Sequence, residues 1–347
     1  MPPKPKNLDG LRCTLADGAS VGLSDYLERS FTDGFIVVSG GAIVYEKYWN
    51  QLGPGSTHLL HSVSKSFCGA LAGILVVRGL LAPNDRVTDL VPTLRGTSFD
   101  GATVRHLLDM RAGTDCPEDY EASNLDAPMR LYELEAGYAP LDGHKPIGIL
   151  GHMRTLTNAR PHGGHFEYRS VLMNVLALVL EEVADTPYPD LLARELWAPL
   201  GPEYDADIML DPFGFPAVEG GMCCTLRDVV RLGEAYRNNG RVAGTAVIPE
   251  LWIRDTLYGD DEAIAAYVRS DPDAKPAVPM SMYRNGWWIV QRDRVCAAFG
   301  IYGQMVYVDR DHQVTVARLA SEPTPLDSQG STTLLRAVEA IVAAVST

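Results

Sequence analysis

Residues 62–81 read SVSKSFCGALAGILVVRGLL, and the meaning given to the first four letters decides both the fold and the chemistry. Phe67, Ala70, Leu71, Ile74 and Leu75 recur at the spacing of one helix face, and Gly79 and Pro83 close the pattern. The spacing predicts a mostly buried helix opened by Ser62. Ser62-Val63-Ser64-Lys65 is the only S-x-x-K in the chain, and positions i and i+3 put hydroxyl and amine on one face. Lysine is scarce here, six against twenty-four arginines. An ammonium set in so apolar a helix is desolvated, so its pKa falls from about 10.4 toward a value at which the amine can take a serine proton. The helix N-terminus adds backbone N–H groups that favour an oxyanion or a carboxylate. The plainer reading is a helix cap followed by an exposed lysine.

Upstream, FIVVSGGAIVYEKYW (35–49) is two β-rich runs around a Gly turn, a hairpin. From Pro83 to about Cys224 the pattern is helix and loop, with helices expected at Thr103–Met110, Val171–Val183 and Pro189–Trp197 and no convincing strand. Thr225 and Asp228 form a capping-box pattern opening a helix through Tyr236. Strands return at Gly286–Gln291, Val295–Phe299, Gln304–Val308 and Val314–Ala320, before a last helix, Ser331–Val345. Strands at both ends without β-α-β alternation predict an α+β fold, an antiparallel sheet flanked by terminal helices plus an inserted, mostly helical domain. The expected division is residues 1–60 and 225–347 for the sheet domain and 61–224 for the helical one. Strand alternation sends one of Trp287 and Trp288 to the cleft between them and the other to the core.

The composition narrows the function. With 347 residues and a net charge of -14, the chain has the wrong sign for a partner bound through its phosphates, so no nucleic acid is expected. No stretch approaches the roughly 20 apolar residues of a membrane span, and the basic start Met1–Asn7 has no apolar run behind it, which predicts a cytoplasmic protein. Six cysteines at 13, 68, 116, 223, 224 and 296 lack ligand-like spacing and read as reduced and structural. Histidines 144, 152, 162 and 165 crowd one stretch without H-E-x-x-H, so no metal and no cofactor are expected. Gly18-Ala19-Ser20-Val21-Gly22 matches G-x-S-x-G, but too few residues precede Ser20 for the β/α units such an elbow needs, and it reads as a turn.

A second segment, Phe166-Glu167-Tyr168-Arg169-Ser170, follows a Gly-rich loop and precedes an apolar helix, placing Tyr168 at a helix entrance. S-V-S-K followed by an apolar helix, then Tyr-x-Ser, resembles the serine β-lactamase superfamily. His106–Met110 with Gly113, Pro199-Leu200-Gly201, Gly220-Gly221 with Thr225 and Asp228, and Gly300-Ile301-Tyr302-Gly303-Gln304 resemble its further landmarks in order. The resemblance implies Ser62 as nucleophile, Lys65 as its base partner and Tyr168 as proton carrier to the leaving group, with Ser170 in place of the lactamase asparagine. It also implies that Gly300, Ile301 and Tyr302 bind substrate.

K-T-G is absent, and Ala298–Gln304 carries no lysine to anchor a β-lactam carboxylate. Within the superfamily the chain is most similar to the 6-aminohexanoate-dimer hydrolases and to carboxylesterases. Gly113-Thr114-Asp115-Cys116-Pro117-Glu118-Asp119-Tyr120 resembles the amidases' G-x-x-x-x-E-x-Y, which makes Tyr120 a candidate substrate contact. The acid that holds the free amine in those enzymes has no clear counterpart, Asp126 being only nearby. The implied activity is acyl-enzyme hydrolysis of a small linear amide or a carboxylic ester. The alternatives are a β-lactamase or penicillin-binding peptidase, and a non-catalytic binding protein on the same fold. Oligomeric state is not readable.

Overall fold

The computed structural model describes residues 1–15, 17–120, 127–141, 143–271, 275–276 and 278–346; Asp126 lies outside them. Seven strands, β1 (Thr32–Ser39), β2 (Ala42–Tyr48), β3 (Met282–Arg284), β4 (Trp287–Gln291), β5 (Val295–Gly300), β6 (Gln304–Asp309) and β7 (Val314–Ala320), form one antiparallel sheet. Its order is β3-β4-β5-β6-β7-β1-β2. The two chain ends meet at β7 and β1, where Val316 pairs with Val37.

The helices used below are α1 (Leu23–Arg29), α2 (Ser64–Val77), α3 (Val171–Ala184), α4 (Leu226–Arg237) and α5 (Ser328–Val345). Side chains alternate across a strand, and here both faces are covered. Phe35, Val37, Met305 and Val316 pack under α1 and α5 with Leu27, Val338 and Ile341. Ile36, Val38, Val306 and Ala317 join the larger core shared with α2, α3 and α4. Burial on both sides explains why these strands read as apolar runs. The expected antiparallel sheet, terminal helices and helical insertion are all present.

Several local expectations are corrected. The stretch expected to hold no strand contains Asp207–Ile208 and Met222–Cys224, which join His58–Leu59 in a three-stranded sheet. Strands of two or three residues are too short for an alternation to register. Strand β3 also went unforeseen, for the same reason. The predicted helix Pro189–Trp197 is instead Tyr188–Leu192 followed by a π-turn, Ala193–Trp197. At α4, Thr225 caps through the Asp228 N–H, but the Asp228 carboxylate accepts from the Glu203 and Tyr204 amides.

The small sheet ties the end of the N-terminal strands to the end of the helical segment, and we propose the domain division at 60/61 and 224/225 beside it. A second tie is ionic. Arg284 Nη1 donates to Asp109 at 2.8 Å and Nη2 to Asp255 at 2.6 Å, while Arg105 donates to Asn285 at 2.7 Å. The clamp holds the β3–β4 turn against α2, where a Cβ on Gly69 would stand 2.0 Å from the Asn285 carbonyl oxygen. Only a glycine permits that approach. Among the described residues, no helix is long and apolar enough to cross a membrane.

Candidate active site

The small sheet delivers the turn that carries Ser62. Leu60 N–H donates to the Met222 carbonyl at 2.9 Å, and the Met222 N–H donates to Ser64 Oγ at 3.3 Å. His61 then turns left-handed, with φ 46°, and a 3₁₀ turn His61–Val63 carries Ser62 just ahead of α2. Ser62 thus sits on the turn before the helix rather than in its first α-helical turn. Lys65 nevertheless stays in reach, its Nζ donating to Ser62 Oγ at 2.7 Å and to the Glu219 carbonyl at 2.7 Å.

Lys65 is buried, and desolvation lowers its pKa to about 8, while the nearby Glu118 and Glu219 carboxylates oppose the fall. The amine is therefore substantially neutral at mildly alkaline pH. Tyr168 lies within hydrogen-bonding reach of Ser62, and burial pushes its phenol far above the ordinary range, so the hydroxyl stays protonated. Lys65 Nζ lies 5.1 Å from the centre of the Tyr168 ring. One serine oxygen thus meets an amine able to accept a proton and a phenol able to give one.

The other expected residues converge on the same place. Gly300 ends β5 against the Ser62 turn, where a Cβ would stand 2.6 Å from the Leu60 carbonyl oxygen. Ile301 follows it and lines a cavity with Ser62. Tyr302, at φ 60°, lays its ring 5.2 Å from that of His61. Burial lowers His61 to about 4 and leaves it neutral. Ser170 donates its N–H, and its Oγ at 3.3 Å, to Glu118, which also accepts from the Tyr120 hydroxyl.

Two cavities open from Ser62, of about 660 and 570 Å³. Both are lined by Ser62, Tyr120 and Ile301. The first adds Tyr168, Phe166, Trp288 and Phe299; the second adds Lys65, Ser170, Tyr138, Glu219 and Tyr302. Trp288 faces the first, whereas Trp287 is fully buried with its ring 4.4 Å from Tyr236, so the alternation sends one inward and one to the site.

Two acids escaped the sequence reading. Glu118 lay inside the segment singled out for Tyr120, and its position two residues before that tyrosine was the available signal. Glu219, the residue before Gly220-Gly221, had no local signal, because its partners come from distant segments.

The set-aside candidates have ordinary surroundings. Ser20 lies on a short exposed hairpin and accepts from Arg12 Nε at 3.0 Å. His144 pairs with Glu135 at 2.7 Å, His162 accepts from the Gly113 amide at 3.0 Å, and His152 packs on Tyr132. His165 lies 3.8 Å from Glu167. Among the described residues, no group of three or more His, Cys, Asp or Glu side chains is arranged to hold a metal ion, and the six cysteines are free thiols.

The Beta-lactamase family model matches residues 24–340. A 6-aminohexanoate-dimer hydrolase of Paenarthrobacter ureafaciens is 32% identical over 321 residues, 92% of this chain and 78% of that protein. Among solved structures, a Bacillus anthracis protein provisionally named 6-aminohexanoate-dimer hydrolase superposes with a TM-score of 0.88 at 22% identity, covering 99% of this chain and 87% of its own. EstCE1, described as a hydrolase with promiscuous acyltransferase activity, gives a TM-score of 0.71 at 16% identity, over 92% of this chain and 98% of its own.

Proposed function

The chain belongs to the Beta-lactamase family, and from that membership and the surroundings of Ser62 we propose that it hydrolyses a small linear amide or a carboxylic ester through an acyl-enzyme. The observation that carries the reading is the Lys65 amine 2.7 Å from Ser62 Oγ, with the Tyr168 hydroxyl on the same oxygen. Neutral Lys65 takes the Ser62 proton as Oγ attacks the substrate carbonyl carbon. The oxyanion forms where the Ser62 turn meets Gly300 and Ile301, and backbone N–H groups of Ser62 and Ile301 receive it. As the tetrahedral species collapses, the bond to the amine or alkoxide breaks, and that group leaves with a proton passed from Lys65 through Tyr168. Water then attacks the acyl carbon as Lys65 takes its proton, and Lys65 returns that proton to Ser62 Oγ as the acyl–oxygen bond breaks and the acid leaves.

Tyr168 lines only the first cavity, which therefore receives the leaving group; the second takes the acyl chain. Tyr120 borders both and stands beside the scissile amide. The 32% identical relative favours a substrate resembling a 6-aminohexanoate oligomer, and the lysine-free segment Ala298–Gln304 disfavours a β-lactam. A β-lactam carboxylate without a charged partner forgoes roughly 1.5–3 kcal/mol, about ten- to a hundredfold in affinity. A panel of p-nitrophenyl butyrate, 6-aminohexanoate dimer and nitrocefin tests this. Turnover of the ester or the dimer well above that of nitrocefin is expected. Nitrocefin as the best substrate would instead make the protein a β-lactamase.

A further inference from the structure

Behind Lys65 lies a buried acid that the acylation scheme leaves unused. Glu219 is 3% exposed, and its backbone carbonyl takes the lysine N–H. Its carboxylate points among tyrosines: the Tyr138 hydroxyl donates to Oε1 at 3.0 Å, Tyr132 lies alongside, and Oε2 is buried with no hydrogen-bond partner among the described residues. Fully buried Asn174, on the helix that follows Tyr168, holds the loop in place. Its Oδ1 accepts from the Val218 and Glu219 amides at 3.0 and 3.3 Å, and its Nδ2 donates to the Tyr132 hydroxyl. The chain therefore fixes an acid beside the lysine from two directions, by its main chain and by its carboxylate.

A carboxylate so deeply buried is costly to keep ionised unless a cation faces it, and Lys65 is the cation in reach. We propose that Glu219 is a positioning residue for the Ser62 reaction: its main chain aims the Lys65 amine at Ser62 while its carboxylate supports the ammonium form that must carry a proton between nucleophile and leaving group. The proposal rests on the reading of Lys65 as the base of Ser62.

Lysine in an apolar pocket faces two opposite failures. Left with its ordinary affinity it stays charged and cannot accept the serine proton; fully desolvated it cannot hold that proton long enough to return it. The groups facing Lys65 are Glu219 on its loop, Glu118 before Tyr120, Tyr168 at the start of α3, His61 on the nucleophile turn and Cys68 on α2 itself. Of these, Glu118 and Glu219 are the acids, and both raise the lysine's proton affinity against burial. Burial in turn raises Glu219 above the ordinary carboxyl range, and Lys65 and the two tyrosines pull it back. Glu118 is already engaged by Ser170 and Tyr120, whereas among the described residues the Glu219 carboxylate has the Tyr138 hydroxyl as its hydrogen-bond donor and Lys65 as the neighbouring cation.

The test is the pH dependence of fluorophosphonate labelling of Ser62, mapped to its peptide, because this reads nucleophile activation without knowledge of the substrate. Glu219→Gln keeps the shape and removes the charge. Its labelling midpoint is expected to fall by roughly half to one pH unit, about three- to tenfold faster labelling relative to the plateau two units below the wild-type midpoint. Tyr138→Phe, which removes a donor to the carboxylate, shifts the midpoint the same way by less. An unmoved or raised midpoint in Glu219→Gln overturns the proposal. Should that variant fail to fold by circular dichroism, an unmoved midpoint in Tyr138→Phe overturns it equally. Absence of any Ser62 adduct in the wild-type protein would overturn the acyl-enzyme reading itself, a result distinct from labelling that occurs with no shift.

Discussion

The Tyr168 ring lies on that of Trp288, centroids 5.4 Å apart and planes 13° from parallel. Tyr283 meets the same ring edge-on at 5.7 Å. Stacked and edge-on aromatic pairs each contribute about 0.5–1.5 kcal/mol beyond their buried area, enough to hold the phenol where its hydroxyl reaches Ser62. Tyr168→Phe should cost orders of magnitude on an amide, whose leaving group needs a proton, and much less on p-nitrophenyl acetate. Trp288→Ala should slow the amide roughly tenfold by loosening Tyr168, and should add little in a Tyr168→Phe background. Full additivity in the double variant would show that Trp288 acts on substrate instead.

Lys65 offers a stability prediction with a defined sign. Its pKa is about 8 in the folded chain against 10.5 unfolded, so below pH 8 the folded state carries the full cost of a poorly solvated ammonium. That cost shrinks as pH rises from 8 to 10.5 and vanishes above, where both states are neutral. Lys65→Met should therefore be inactive, yet more stable at pH 7 by about 1–2 kcal/mol after allowing for lost hydrogen bonds. The gain should fade by pH 11. Urea titrations at both pH values check it, and a less stable variant at pH 7 would contradict it.

Tyr120 and Glu118 act together. Tyr120→Phe should lower kcat/KM for a linear amide and spare esters, because the hydroxyl borders the place proposed for the amide. Glu118→Gln weakens the acceptor shared by Tyr120 and Ser170 and removes a negative charge from the neighbourhood of Lys65. It should slow both substrate classes about tenfold. Parallel kinetics on the 6-aminohexanoate dimer and p-nitrophenyl butyrate separate the two patterns.

The clamp around Arg284 bears on the fold more than on the chemistry. Arg284→Met leaves the buried Asp109 and the half-buried Asp255 to share Arg105 and Asn285, and should cost about 3 kcal/mol. An unchanged urea midpoint would mean that solvent or Arg105 compensates.

Much of this was legible in the chain because the signals were local. The helix after Ser62 announces itself through Phe67, Leu71 and Ile74, and the final strands through apolar runs of five to seven residues. The S-x-x-K spacing places the Lys65 amine on Ser62, since three residues span one helical turn. What stayed hidden depends on pairing over long separations. Asp207–Ile208 is a strand only because Met222–Cys224 lies beside it, and Glu219 approaches Lys65 only because Asn174 fixes its loop. Ser62's place on a 3₁₀ turn, set by the left-handed His61, was likewise invisible, since histidine carries no strong preference for that backbone.

The carbonyl that aims Lys65 lies 154 residues further along the chain, and the strand that braces the serine turn pairs with Met222–Cys224. During synthesis Ser62 and Lys65 leave the ribosome long before those partners exist. Until then the lysine is bathed in water, keeps its ordinary charge and cannot awaken the serine. On the proposed reading of Lys65 as the base of Ser62, the growing polypeptide is thus protected from acylating itself on any reactive ester it meets, and competence arrives only when the far end of the helical insertion has folded back onto its beginning.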